Sequence, residues 1–196
     1  MVSIKIIAGS TRPGRFGIQP ATWIFNIAKK RKDIKVELLD LAQINLPFLD
    51  EPVSASQGKY SKPHTKAWAK TIAQADGFIF VTPEYNHSYS PALKNAVDFL
   101  FSEWNYKPIS FVSYGSLAGG VRAVEHLRGV AAELKMYDLR EQILLPNYWD
   151  NLNDKGEYQF TERQAKSANS ILNDLIFWAE QMKTARTELI KMNKLA

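Results

Sequence analysis

Apolar positions along this chain follow two rhythms. Val2–Ala8 (VSIKIIA), Ile34–Leu39, Gly77–Thr82 (GFIFVT), Ile109–Tyr114 and Leu139–Leu145 are short runs of apolar and β-branched residues, and each predicts a strand. Between them apolar residues recur at helical spacing. Ile18, Ala21, Ile24, Phe25 and Ala28 share one helical face, as do Ala67, Trp68, Ile72 and Ala75, and then Leu93, Ala96, Val97, Leu100 and Phe101. A further helix is expected from about Gly120 to Lys135, and a long one from near Thr161. Ser90 sets a capping hydroxyl before Pro91 at the first helical position, and Thr161 with Gln164 resembles a capping box. The stretch from Asp40 to about Lys59 contains Pro47, Pro52, Ser54, Ser56 and Gly58, so it predicts a long irregular connection.

Five strands alternating with five helices point to an α/β fold, an open parallel sheet wrapped on both faces. The 196 residues suit a single domain, 1–196. In such sheets ligands bind at the carboxyl ends of the strands, where the strand order switches. The loops after strands one, three and four therefore carry the functional question.

Composition narrows the chemistry. The chain has no cysteine, which removes disulfides, thiolate nucleophiles and Cys-ligated metal, and fits a reducing, cytoplasmic setting. Its three histidines, His64, His87 and His126, match no metal-ligand spacing. Met1–Ser10 is too short and too poorly flanked to read as a signal peptide, and no later apolar run is long enough to span a membrane. The net charge of +5 raises the question of nucleic acid. Apart from Lys29–Lys32 and Lys183–Lys194, though, the basic residues are scattered, and no basic–aromatic motif accompanies them. Solvated helix faces are the expected reading.

The first loop, Gly9 to Gly17 (GSTRPGRFG), combines small residues, two hydroxyls and two arginines with a helix start, each of which suits a phosphate. It departs from a P-loop, because Arg15 stands where the lysine belongs and Phe16 replaces the magnesium-binding hydroxyl. It also lacks GxGxxG. The plainer alternative is a Gly/Pro-rich turn with surface arginines. The second loop, Thr82 to Pro91, carries Tyr85 and Tyr89 as flat surfaces and Asn86, His87 and Ser88 as polar groups. Such a turn can read the edge of a planar heterocycle while aromatics cover its face; equally, its tyrosines can pack on the core and His87 can be a solvated group. The third, Ser113 to Gly120 (SYGSLAGG), has glycines that allow a backbone close to a ligand or simply a tight turn. Its serines lie outside a G-x-S-x-G frame, so it is no hydrolase elbow.

GSTRPGR at 9–15, LPFLDEP at 46–52, PEYNHSYSPALKNAVDFL at 83–100 and SYGSLAGG at 113–120 together resemble the NADPH-dependent FMN reductase family of flavodoxin-like quinone, azo-dye and flavin reductases. The resemblance implies a flavodoxin-like three-layer sandwich with strand order 2-1-3-4-5. It implies FMN as cofactor and NADPH or NADH as electron donor. Ser10, Arg12, Arg15, Phe16 and Gly17 would hold the FMN phosphate, partly through backbone. Pro83, Glu84, Tyr85, Asn86 and Ser88 would line the flavin near N5, with Ser116, Leu117, Gly119 and Gly120 on the pyrimidine side. It further implies a homodimer or homotetramer, in which Trp104, Tyr106, Tyr148 and Trp149 are candidates for the interface or for core packing. The expected activity is ping-pong transfer of electrons to a small-molecule acceptor, with flavin rather than a side chain carrying the hydride. A flavodoxin-like electron carrier, or a flavin-binding redox sensor, would use the same loops; the basic surface counts against a carrier.

Overall fold

The computed structural model describes residues 1–192, so Lys194 of the C-terminal basic stretch lies outside the described residues. Five parallel strands, β1 (Val2–Ala8), β2 (Ile34–Asp40), β3 (Gly77–Pro83), β4 (Pro108–Gly115) and β5 (Tyr137–Pro146), form one sheet in the order 2-1-3-4-5. The expected topology is therefore the observed one. All seven residues of β3 are buried, as its unbroken apolar run requires of a central strand covered on both faces.

Among the described residues six helices cover the sheet: α1 (Ile18–Lys29), α2 (Leu41–Ile44), α3 (Pro63–Ala73), α4 (Pro91–Asp98), α5 (Val121–Glu133) and α6 (Glu162–Lys191). Two apolar clusters result, one on each face. Ile4, Ile6, Ile79 and Val112 meet α1 and α6 through Ala21, Ile24, Leu172 and Leu175. Ile7, Phe78, Phe80 and Phe111 meet α3, α4 and α5 through Trp68, Leu93, Val97 and Leu127. Ser90 caps α4 by accepting the Leu93 N–H at 3.1 Å, and the Thr161–Gln164 capping box opens α6.

Three readings need correction. The segment after β2 is not wholly irregular: Asp40 caps the short helix α2, and a 3₁₀ turn forms at Ala55–Gln57. Helix α4 ends at Asp98, so Leu100 and Phe101 leave the helix even though Leu100 is still buried. Gly120 caps α5 with φ +87°, and Lys135 lies beyond the helix with φ +53°. For Trp104, open between interface and packing, the structure shows packing: it is fully buried against Phe78, Phe80 and Trp68, and its indole N–H donates to the Val97 carbonyl at 3.1 Å.

The basic segments are mixed: Lys29, Lys30 and Lys32 are exposed, as solvated helix faces are, whereas Arg31, Lys183 and Arg186 are held in ion pairs. Arg31 pairs with Asp33 at 2.8 Å, while Lys183 and Arg186 both pair with buried Asp76, at 2.8 and 2.7 Å. At the same amino-terminal edge of the sheet Lys107 is buried, and its ammonium donates to the Ile72 and Ala73 carbonyls that end α3. Burial pulls this amine down to about 7. No helix among the described residues is long and apolar enough to cross a membrane.

Candidate functional site

Strands β1, β3, β4 and β5 all end at one edge of the sheet, and the segments leaving them enclose a cavity of about 240 Å³. Its lining comes from the first loop (Ser10, Arg12, Arg15, Phe16), the second (Pro83, Glu84, Tyr85) and the third (Tyr114, Gly115, Ser116), with Tyr148 and Trp149 from the turn after β5. The three loops singled out from sequence thus converge. A larger groove of about 530 Å³ runs from Thr11 past Leu46, Phe48 and Pro91, but no charged side chain lines it. The chemistry-bearing groups gather in the smaller cavity.

The first loop is built to donate. The N–H groups of Ser10, Thr11, Arg12, Gly14, Phe16 and Gly17 reach no protein acceptor among the described residues; of the loop's amides, Gly9 donates to Val81 at 2.8 Å and Arg15 to Arg12 at 3.1 Å. Ser10 is buried, with its hydroxyl 3.1 Å from the Tyr85 hydroxyl, which joins the first loop to the second. Arg12 is exposed and makes no ion pair among the described residues. Arg15, by contrast, is paired with Asp40, and its Nε is buried without an acceptor. Unmatched N–H donors beside two guanidinium groups are the donor set that an anion could use, and the start of α1 adds its dipole.

Packing holds this loop in shape. Phe16 is buried and stacks on Tyr148 with ring centroids 4.1 Å apart, and its edge meets Tyr114 and Tyr158. A side chain at Gly17 would collide with the Tyr114 hydroxyl, so only glycine lets the loop pass this close. Burial keeps that hydroxyl well above the ordinary phenol range, against the pull of the Ser10 hydroxyl beside it. Tyr114 is therefore a fixed O–H at the floor of the cavity.

The second loop folds back on itself. Tyr85 and Ser88 exchange two backbone hydrogen bonds, of 2.8 and 3.0 Å, around Asn86 (φ +50°) and His87 (φ +67°), a tight turn with two left-handed residues at its tip. Asn86 and His87 are thereby exposed and stand off the cavity wall. Glu84 is anchored twice on α5: its carboxylate accepts the Arg122 N–H at 3.2 Å and Nε at 2.6 Å. One turn further on, His126 Nδ1 lies 3.0 Å from Ser88 Oγ. Helix α5 thus clamps both ends of the turn.

In the third loop the Ser116 carbonyl accepts the Gly119 N–H at 2.9 Å and the Asn147 N–H at 3.1 Å, tying this loop to the turn after β5. Of the fourteen residues expected at the site, Gly17, Asn86, Ser88, Leu117, Gly119 and Gly120 do not line the cavity. Leu117 is 84 % exposed. Gly119 and Gly120 lie behind the loop, against Pro146 and against Ser113 and Tyr114. Tyr114 and Gly115 lie within the third loop as read from sequence but not among its expected ligand contacts; the structure sets both in the cavity wall at the end of β4. Tyr148 and Trp149, candidates for an interface or for packing, stand in the cavity wall instead. Their signal was that β5 ends at the same edge.

Residues 2–150 match the family described as NADPH-dependent FMN reductase. The chain is 45 % identical over 135 residues to the NAD(P)H-dependent FMN reductase of Schizosaccharomyces pombe, covering 68 % of this chain and 67 % of that one. It is 34 % identical over 136 residues to the quinone reductase of Escherichia coli, covering 66 % and 69 %. Among solved structures, the flavoenzyme NAD(P)H:acceptor oxidoreductase of Paracoccus denitrificans superposes with a TM-score of 0.71 at 18 % identity, over 93 % of this chain and 99 % of that one, a likeness of fold.

Proposed function

The chain belongs to the NADPH-dependent FMN reductase family, an oxidoreductase family, and from that premise we propose that it holds FMN across the three-loop cavity and passes electrons from NADPH or NADH to a small-molecule acceptor. Quinones, azo compounds and free flavin are the acceptor classes in view. Bound there, FMN supplies the hydride-accepting chemistry that no side chain of this protein provides.

The protein's part is to bind and orient. Ser10, Arg12, Arg15 and the free amides through Gly17 take the phosphate, which fits the donor-rich, acceptor-poor loop. Pro83, Glu84, Tyr85, Asn86 and Ser88 present the second loop to the ring, with the Glu84 side chain acting through its clamp on Arg122. Ser116 stands on the pyrimidine side, with Gly119 and Gly120 folding the loop behind it. Tyr85 and Trp149 add flat walls. Backbone amides aimed at the ring would stabilise negative charge on it. Donor and acceptor then take turns at one open face, a ping-pong order.

The observation that carries this reading is the convergence of unmatched donors on one loop with aromatic walls from the others. Phe48, 85 % exposed beside the larger groove, supports a homodimer or homotetramer, and the lack of cysteine supports a cytoplasmic setting. Initial rates of NADPH oxidation, with benzoquinone varied and no partner protein present, test the proposal. Parallel double-reciprocal lines are expected. Intersecting lines would contradict the ping-pong order, and no turnover at all would favour a carrier.

A further inference from the structure

We propose that Asp40 is a positioning residue for the flavin phosphate, fixing the Arg15 guanidinium at the cavity wall so that its charge is kept for that anion. This rests on the FMN reading above. Parallel register sets Ala8 opposite Asp40, so the carboxylate stands beside the strand end from which the first loop departs. It is 6 % exposed. One oxygen accepts the Ala42 N–H at 3.1 Å and caps α2; the other takes Nη2 of Arg15. A carboxylate bound at both oxygens cannot swing, and it holds the arginine with it.

The consequence is an unfilled donor. Arg15 Nε is buried without an acceptor, on a residue that lines the three-loop cavity. A buried donor on a charged group is costly to leave unmatched, and negative charge in the cavity beside the same guanidinium offsets part of that cost. The two arginines therefore differ in task. Arg12 is exposed and unpaired among the described residues, a movable charge, whereas Arg15 is a donor set in place before the ligand arrives. Asp40 also opens α2, so it couples the segment after β2 to the phosphate loop without touching the ligand.

The test is Asp40→Asn. Asparagine caps a helix as well as aspartate does, so α2 keeps its cap while the ion pair to Arg15 is lost. The protein freed of flavin is titrated with FMN and with riboflavin, which lacks the phosphate, and binding is followed by flavin fluorescence. For Asp40→Asn the FMN Kd is expected to rise about tenfold or more, with the riboflavin Kd changed by less than about twofold. In an Arg15→Gln background, Asp40→Asn is expected to add nothing to the FMN Kd. A variant whose FMN Kd is unchanged overturns the proposal, as does equal weakening of both flavins, which would mean a loosened fold. Wild-type protein that binds FMN no better than riboflavin overturns the phosphate-site reading together with this inference.

Discussion

Gly120→Ala is expected to destabilise the protein by about 2–4 kcal/mol, a fall of roughly 5–12 °C in melting temperature for a chain of this size. Two effects add. Gly120 sits at φ +87°, in a region alanine enters only with strain. A methyl there would also stand 2.8 Å from Ser113 Cβ and from the Tyr114 amide, both buried and one of them backbone, so neither neighbour can yield. The damage is local as well as global. Tyr114 is the cavity floor, its carbonyl accepts the Glu84 N–H at 3.0 Å, and displacing it moves the second loop. Gly14→Ala is the control. Its φ of +67° carries the same conformational strain, yet nothing lies within 4 Å of the new methyl, so a loss of only about 1 kcal/mol is expected. Thermal melts of both variants decide the matter; equal losses would refute the claim that close approach at Gly120 is what demands glycine.

Arg12→Ala is expected to weaken FMN binding by about 10- to 100-fold, the range for losing one charge-assisted contact to a phosphate. The same change should leave the flavin-free protein within about 0.5 kcal/mol of wild type, because Arg12 is exposed and supports no ion pair among the described residues. That separation of affinity from stability marks a ligand contact rather than a structural one. Raising the salt concentration should narrow the difference between wild type and variant, since an exposed guanidinium is screened. Titration of both proteins at two ionic strengths checks this. An FMN Kd unchanged by Arg12→Ala would remove the first loop from the phosphate site.

What the sequence reveals here follows how locally each feature is encoded. The strand Gly77–Thr82 is legible because a parallel strand covered on both faces must be apolar throughout, and its burial is complete. The caps at Ser90 and Thr161 are legible because capping needs one side chain at one spacing. The end of α4 is not. Leu100 and Phe101 keep helical spacing, but the chain turns at Phe99 and buries Leu100 by another route. Helix α2 has four residues, below any periodicity, and rests on the Asp40 cap. Strand β5 runs two residues further at its start than its apolar core suggests, with Asp138 paired to Arg128 at 2.5 Å.

The site divides in the same way. Ser10, Arg12, Arg15 and Phe16 come from one contiguous loop whose composition already suggested an anion. The Glu84–Arg122 clamp and the Asp40–Arg15 pair join residues 38 and 25 positions apart, and no local pattern announces them. Tyr148 and Trp149 reach the cavity only because β5 lies next to β4 in the sheet and ends at the same edge. Such partners follow from topology. The expected strand order already places β5 beside β4, but the sequence between Pro146 and Asn151 carries no glycine-rich or cationic signal to mark its turn as a fourth wall.

The central claim is that this cavity holds FMN and exposes it to a nicotinamide donor. The most direct test is the visible spectrum of the purified protein after mixing with excess FMN and desalting, followed by anaerobic addition of NADPH. A retained flavin band that bleaches on adding NADPH is the expected result. Protein that emerges from desalting without flavin would contradict the account at its base, and a retained band that NADPH leaves untouched would contradict its assignment as a nicotinamide-dependent reductase.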